Sequence, residues 1–205
     1  MLELVYPIDD PAPMLPSVTA DMAARMHSPK KAKNPSEIFP VIDENGVVIG
    51  RATRAYCHSG SHLLHPVVHL HLVDREGRIY LQKRSGRKDI EPGKWDTSVG
   101  GHITYGESIL EALYREAGEE LNLSEFNPVF LGTYRLDTDV DSVLVIVFAA
   151  VGSFKPAPDG EEVEEGRWWT PEEIDAASAN GPKSPLTANF TAEYADIKSR
   201  LSALL

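Results

Sequence analysis

The sequence predicts an α+β fold, an α/β/α sandwich built around a mixed β-sheet. Three observations carry this. Strand-like and helix-like segments mix without the regular βαβ alternation of a parallel array. Hairpin signals dominate from residue 38 to residue 85. A helix from Glu107 to about Leu121 carries one apolar stripe and is followed by SVLVIVFAAV, a run apolar enough to be a central, buried strand.

The chain has 205 residues, which suits one compact domain, 36–205, with an N-terminal extension, 1–35. At 42% hydrophobic and 25% charged it matches ordinary globular proteins, so its core should fold without disulfides or a structural metal. Cys57 is the single cysteine, which excludes an internal disulfide and a Cys-based zinc site. The N-terminus is acidic, without the basic start of a signal peptide, and no apolar run reaches the roughly 20 residues of a membrane span. The expected location is therefore cytoplasmic, with no membrane partner.

There are 20 Lys+Arg against 31 Asp+Glu, a formal charge of −11. Such a chain repels a nucleic acid polymer. A small phosphate substrate would need local neutralisation by metal ions or a few placed cations. Much of the acidity fits a solvated surface equally well.

Taken in order, Pro7, Pro11, Pro13, Pro16 and Pro29 interrupt the first segment. Val18–Met26 is expected as a short helix, and Pro29–Pro35 as a linker. IFPVI and VVIGRATR then form a hairpin, with Asn45-Gly46 supplying positive-φ residues at its turn. A loop holds Cys57, His58, His62 and His65. VVHLHLVD and IYLQKRS form a second hairpin, with His69 and His71 alternating with apolar residues in its first strand. The glycine-rich turn PGKWDTSVGGHITYG leads into the helix, whose stripe is Leu110, Leu113, Ala117 and Leu121. The strands VFLGTYRL and SVLVIVFAAV follow, then the acidic loop PDGEEVEEGRWW. Thr170 caps a short helix with Pro171 at its first position, and Ala188–Leu205 is a last amphipathic helix.

Chemistry concentrates on the central helix. Glu116, Glu119 and Glu120 lie at i, i+3 and i+4, and so share one face. Each such pair repels by a few tenths of a kcal/mol, about 0.2–0.5. A hard cation reverses that sign, and oxygen-only ligands suit Mg²⁺ or Mn²⁺ bridged to substrate phosphates. A solvated helix face is the bland alternative. Gly100-Gly101 before the helix favours the ligand reading, because glycine lets backbone approach a ligand and a helix N-terminus favours phosphate.

The segment Gly101 to Leu123 resembles the Nudix hydrolase signature, G-x5-E-x7-R-E-U-x-E-E-x-G-U with U a bulky aliphatic. Gly101, Glu107, Arg115, Glu116, Glu119, Glu120 and Leu123 match. Ala117 stands at the first U and is smaller. Asn122 stands at the last glycine and can take the same left-handed helix-ending conformation. The resemblance implies a Nudix-type sandwich and Mg²⁺- or Mn²⁺-dependent hydrolysis of a diphosphate linkage, with more than one ion. It assigns Glu116, Glu119 and Glu120 to the metals, with the Gly100 or Gly101 carbonyl as a further ligand. Glu116, Glu119 or a glutamate outside the helix activates water. Arg115 orients the cluster, together with Glu107. A further carboxylate comes from the acidic loop, where Glu162 is favoured over Glu161, Glu164 and Glu165; each of these also fits plain surface acid.

From His58 to His102 the chain resembles the branch close to isopentenyl-diphosphate isomerase. That enzyme shares the fold but shifts a double bond by protonation, using a Cys before the Gly-His pair and a Glu on the strand aligned with SVLVIVF. Gly100 and Val143 occupy those positions, and neither transfers protons. His58, His65 and His102 fall at its ligand histidines, with Asp141 at an acidic ligand. They imply a second metal site, or else polar pocket residues. His102 also stands as a substrate-binding residue. Lys83 and Arg84 meet a diphosphate in this reading, or are strand-end surface charges. Trp95 stacks on a base or anchors its turn; Trp168 and Trp169 divide between core and pocket; Cys57 is a small packing residue.

The expected partner is a small-molecule diphosphate, such as a nucleoside diphosphate derivative. The alternatives are an isomerase-like prenyl diphosphate enzyme and a non-catalytic Nudix-fold binding module. Residues 1–35 and the C-terminal helix are candidates for a lid or for homodimer contacts.

Overall fold

The computed structural model describes residues 34–87 and 90–205. The expected helix at Val18–Met26 and most of the linker lie outside these residues.

Strand β1 (Ile38–Ile42) pairs antiparallel with β2 (Val48–Thr53) as a two-stranded sheet. Only Gly46 takes positive φ in the turn, at 80°. Asn45 does not, because Asp43 shapes the turn instead. Its Oδ1 accepts from the N–H groups of Asn45 and Val47, both at 2.9 Å. A one-turn helix, α1 (Arg54–Cys57), occupies part of the expected histidine loop, and its N-cap is Thr53. His65 is not in a loop but in strand β3 (Leu64–Val73).

Strands β4 (Ile79–Arg84), β5 (Trp95–Asp96), β6 (Val99–His102), β7 (Val129–Asp137), β8 (Ser142–Val151) and β9 (Val163–Trp169) complete the larger, mixed sheet. Its hydrogen-bonded order is β5-β4-β3-β8-β7, with β6 on β3 and β9 on β4. The second hairpin is shorter than expected. β3 meets β4 at Val73↔Ile79, whereas β4 runs antiparallel to β9 from Ile79↔Trp169 to Arg84↔Val163. Glu164 and Glu165, expected in an acidic loop, are therefore exposed strand residues.

β3 does not alternate between core and water either. His71 is fully buried, and its Nε2 bonds the buried Glu193 carboxylate. The polar ring is tolerated inside because it has that partner. β8 is buried at every position but its last, as its composition predicts.

Helix α2 (Ile109–Leu121) begins two residues later than expected. Ser108 caps it, with its Oγ accepting from Glu111 N–H at 3.2 Å while Glu111 Oε2 accepts from Ser108 N–H at 3.0 Å. Glu107 thereby stays in the preceding turn, outside the helix. Leu110, Leu113, Ala117 and Leu121 are all buried, confirming the stripe. Asn122 ends the helix at φ 51°, the left-handed cap expected of it. Helix α3 (Pro171–Ser178) has a full capping box between Thr170 and Glu173, and helix α4 (Ala188–Ser202) is capped by Thr187.

The chain divides into two compact units. One comprises residues through His69 with Gly100–Glu116 and Gly132–Val147; the other comprises Leu70–Val99, Ala117–Leu131 and Phe148–Leu205. The first has a small core of Ile42, Val48, Leu64 and Leu144. The second buries Leu70, Leu72, Leu81, Leu121, Ile174, Leu186 and Phe190 almost completely. Each such side chain contributes about 1.5–3 kcal/mol relative to exposure. No helix among the described residues is long and apolar enough to cross a membrane.

Candidate active site

In the first unit, Arg115 is the hub. Its Nε donates to Glu107 Oε1 at 2.8 Å and its Nη2 to Glu107 Oε2 at 3.0 Å, a two-pronged charge-assisted pair. Its Nη1 reaches Glu116 Oε1 at 2.8 Å, and its Nη2 also reaches the His102 carbonyl at 2.9 Å. One guanidinium thus ties the loop glutamate, the helix glutamate and the strand end together. Glu107 Oε2 also accepts from Thr104 N–H at 3.0 Å, which fixes the turn.

Gly101 serves the same cluster by absence. A Cβ there would lie 1.9 Å from Glu116 Cδ and 2.1 Å from its Oε1. Only a glycine lets the Glu116 carboxyl group lie against the backbone of β6. Glu116 and Glu119 are half-buried and Glu120 is buried at 6% exposure. Helical spacing puts the three on one face.

In the second unit, Gln82 Nε2 donates to Glu120 Oε2 at 3.3 Å. The Glu120 carbonyl accepts from Asp159 N–H at 3.1 Å, and the Leu121 carbonyl from Ala157 N–H at 2.8 Å. The loop before β9 is thereby fastened to the end of α2. Asp159 Oδ1 then accepts from Glu161, Glu162 and Val163 N–H groups at 2.9–3.0 Å. Glu162 is half-buried in this loop, whereas Glu161, Glu164 and Glu165 are exposed.

The two cations on β4 are separated by the pleat. Arg84 shares the face of Gln82, two residues away. Its Nη1 donates to Asp96 Oδ2 at 2.9 Å. Lys83 belongs to the other face and pairs with Glu165 at 3.4 Å. Trp95 is anchored rather than open: its ring meets Trp169 edge-on at 5.3 Å, and its backbone N–H donates to the Pro185 carbonyl at 2.9 Å. Trp168 is half-buried and Trp169 buried.

Histidines 58, 65 and 102 do come together. One ring nitrogen of each lies within 4.8 Å of the others. Phe39 stacks on His102 at 4.5 Å and 5°, and on His65 at 5.5 Å and 12°. His58 Nδ1 lies 2.7 Å from Asp141 Oδ2. The His58 bond holds the Asp141 carboxyl below its ordinary range, so it accepts and His58 Nδ1 carries the hydrogen. His65 Nδ1 donates likewise to the Leu63 carbonyl at 2.8 Å. Burial pulls the His65 pKa down, which favours the neutral ring. Nε2 of His58 and of His65 is left buried with no hydrogen-bond partner among the described residues. Two buried ring nitrogens near one another without a hydrogen-bond partner, each ring braced at Nδ1, suit a transition metal. Cys57 is fully buried, and burial pushes its thiol pKa up, away from reactivity.

An intact glutamate helix, its arginine clamp and its glycine contact define the class, and comparison with known proteins agrees. Residues 63–190 match the NUDIX domain model, and the chain belongs to that family. It is 35% identical over 153 residues to an isopentenyl-diphosphate Delta-isomerase of Clavibacter sepedonicus, covering 72% of this chain and 80% of that one. It is 31% identical over 147 residues to a Nudix hydrolase of uncharacterised activity from Yersinia pestis, covering 70% and 80%. Among solved structures, the Deinococcus radiodurans protein DR0079 superimposes with a TM-score of 0.61 at 28% identity, covering 71% of this chain and 90% of that one. The relatives thus divide between isomerases and hydrolases within one fold.

Proposed function

We propose that this protein hydrolyses a diphosphate linkage in a nucleoside diphosphate derivative or a related small molecule. The observation that carries this reading is the Arg115 clamp, which holds Glu107 and Glu116 while Gly101 makes room for the Glu116 carboxyl group. Such preorganisation has no use on a merely solvated helix face. The donor set fits hard divalent ions. Glu116, Glu119, Glu120 and the Gly101 carbonyl would hold Mg²⁺ or Mn²⁺, with Glu162 as a further carboxylate. When bound, the ions would neutralise the diphosphate and lower the pKa of an attacking water. Glu116 or Glu119 would take the proton from that water, and Arg115 keeps the Glu116 carboxylate oriented. Arg84 supplies positive charge to the substrate from the β4 face that also carries Gln82.

Gly100 and Val143 argue against double-bond isomerisation, since neither side chain carries a transferable proton. The histidine cluster is a second metal site in this reading, held by His58, His65 and His102 and braced by Asp141. Its nitrogen ligands favour a transition metal over Mg²⁺.

The test is a panel of nucleotide, sugar-nucleotide, coenzyme and prenyl diphosphates with Mg²⁺ and Mn²⁺. Phosphate-containing products should form, and should vanish in Glu120→Gln. Turnover of that variant at the wild-type rate would overturn the assignment. Conversion of isopentenyl to dimethylallyl diphosphate would favour the isomerase reading instead.

A further inference from the structure

Arg84 stands out because the carboxylate that braces it, Asp96, is itself bonded to the start of the C-terminal helix. Its Nη1 donates to Asp96 Oδ2 at 2.9 Å, while Nε and Nη2 donate to the Ile90 carbonyl at 3.2 and 3.0 Å. A guanidinium carries five N–H groups, so two stay uncommitted among the described residues. The side chain is 24% exposed. Arg84 is therefore braced from one side and open on the other, as an anion-binding arginine should be.

The brace continues inward. Asp96 is 9% exposed and lies opposite Gln82 in the β4–β5 register. Its Oδ1 accepts from Thr97 N–H at 2.9 Å and from the Thr187 hydroxyl at 3.1 Å. Thr187 is 2% exposed and is also the N-cap of α4, where its Oγ1 accepts from Phe190 N–H at 3.1 Å. A hydroxyl has one hydrogen to give. With its oxygen already accepting from Phe190, that hydrogen goes to Asp96, so the direction of the bond is fixed. Thr187 N–H donates to the Trp95 carbonyl at 2.8 Å, locking the cap to β5. The hydroxyl thus performs two tasks: it starts a helix and it orients a carboxylate.

We infer that Thr187 and Asp96 are positioning residues for Arg84, which makes the start of the C-terminal helix part of the diphosphate-binding apparatus. This rests on the proposed diphosphate function of Arg84. Removing the hydroxyl leaves Asp96 Oδ1 with the Thr97 N–H alone, so the carboxylate that receives Arg84 Nη1 is held by one bond fewer and the guanidinium is placed less sharply. Binding then weakens although every group that touches the ligand is still present.

The probe is inorganic diphosphate with Mg²⁺, titrated into the full chain by calorimetry, which separates the binding-competent fraction from Kd. Arg84→Ala and Thr187→Val should each weaken Kd by roughly tenfold, the scale of one charge-assisted contact. Thr187→Ser keeps the hydroxyl and should restore it. A variant that merely misfolds loses stoichiometry and keeps its Kd. If Arg84→Ala weakens binding while Thr187→Val does not, or if serine fails to restore it, the positioning role is overturned alone. If Arg84→Ala binds as wild type does, or the wild type does not bind, the diphosphate reading of Arg84 falls and the inference with it.

Discussion

Gly101→Ala tests the site at its tightest contact. The added Cβ would meet Glu116 Cδ at 1.9 Å, Oε1 at 2.1 Å and Cγ at 2.4 Å. Carbon contacts settle near ~3.5 Å, so the carboxyl group must retreat by about 1.5 Å. It sits at the end of a flexible side chain, so the backbone of β6 need not move. Overpacking and the weakened Arg115–Glu116 bond together should destabilise by about 1–3 kcal/mol, readable by urea denaturation. Arg115 keeps its two bonds to Glu107, so the turn survives. Catalysis should suffer far more, because displacing a ligating group by an ångström lowers turnover about 100-fold. Adding Glu116→Gln in the Gly101→Ala background should produce little further loss, since both changes remove the same placed carboxylate. The assay is turnover of the best diphosphate of the substrate panel at saturating Mg²⁺. Turnover within about threefold of wild type for Gly101→Ala, alongside a large defect in Glu116→Gln alone, would refute the reasoning.

Three other outcomes follow from the geometry. Asn122 holds φ 51°, so Asn122→Gly should be neutral or slightly stabilising, and Asn122→Ala destabilising by about 1 kcal/mol, by chemical denaturation. After chelator treatment, uptake of Zn²⁺ or Mn²⁺ should be lost in His58→Ala and weakened about 10- to 100-fold in Asp141→Asn, measured by elemental analysis; equal uptake by all three proteins would remove the second site. The carboxyl of Glu173 is held below its ordinary value by the Thr170 backbone bond and then by Arg167. Its contribution is thus complete above the unfolded carboxyl range and lost as pH falls through the depressed folded value. The stability gap between wild type and Glu173→Gln should be open at neutral pH and close in acid, as followed by thermal melts.

The legible part of this molecule is the part written locally. Gly101, Glu107, Arg115 and the three helix glutamates lie within 20 residues, and helix geometry alone decides that their spacing has meaning. Thr170 with Pro171 and the left-handed Asn122 are equally local. What escapes is tertiary. Gln82 touches Glu120 from 38 positions away, and Thr187 touches Asp96 from 91. No periodicity links them. Periodicity scores His71 by residue type and marks a polar strand face, yet Glu193, 122 residues distant, makes it a core residue. β9 is masked by its acids, since Glu164 and Glu165 disguise a strand whose ends, Val163 and Trp169, are buried. The histidine cluster is visible only through resemblance. Its spacing is irregular, and Phe39, which stacks on two of its rings, leaves no signal of its own.

Phe39 has one more consequence. It lies in β1, and His58 just after α1, both upstream of the residue 63 at which the family match begins. The glutamate helix lies inside the family segment, whereas the histidine cluster borrows an imidazole and its stacking ring from the preceding hairpin region. A chain with the whole family segment but a different hairpin region would keep the glutamate helix, His65 and His102, and would lack the third imidazole and the ring that stacks on the other two.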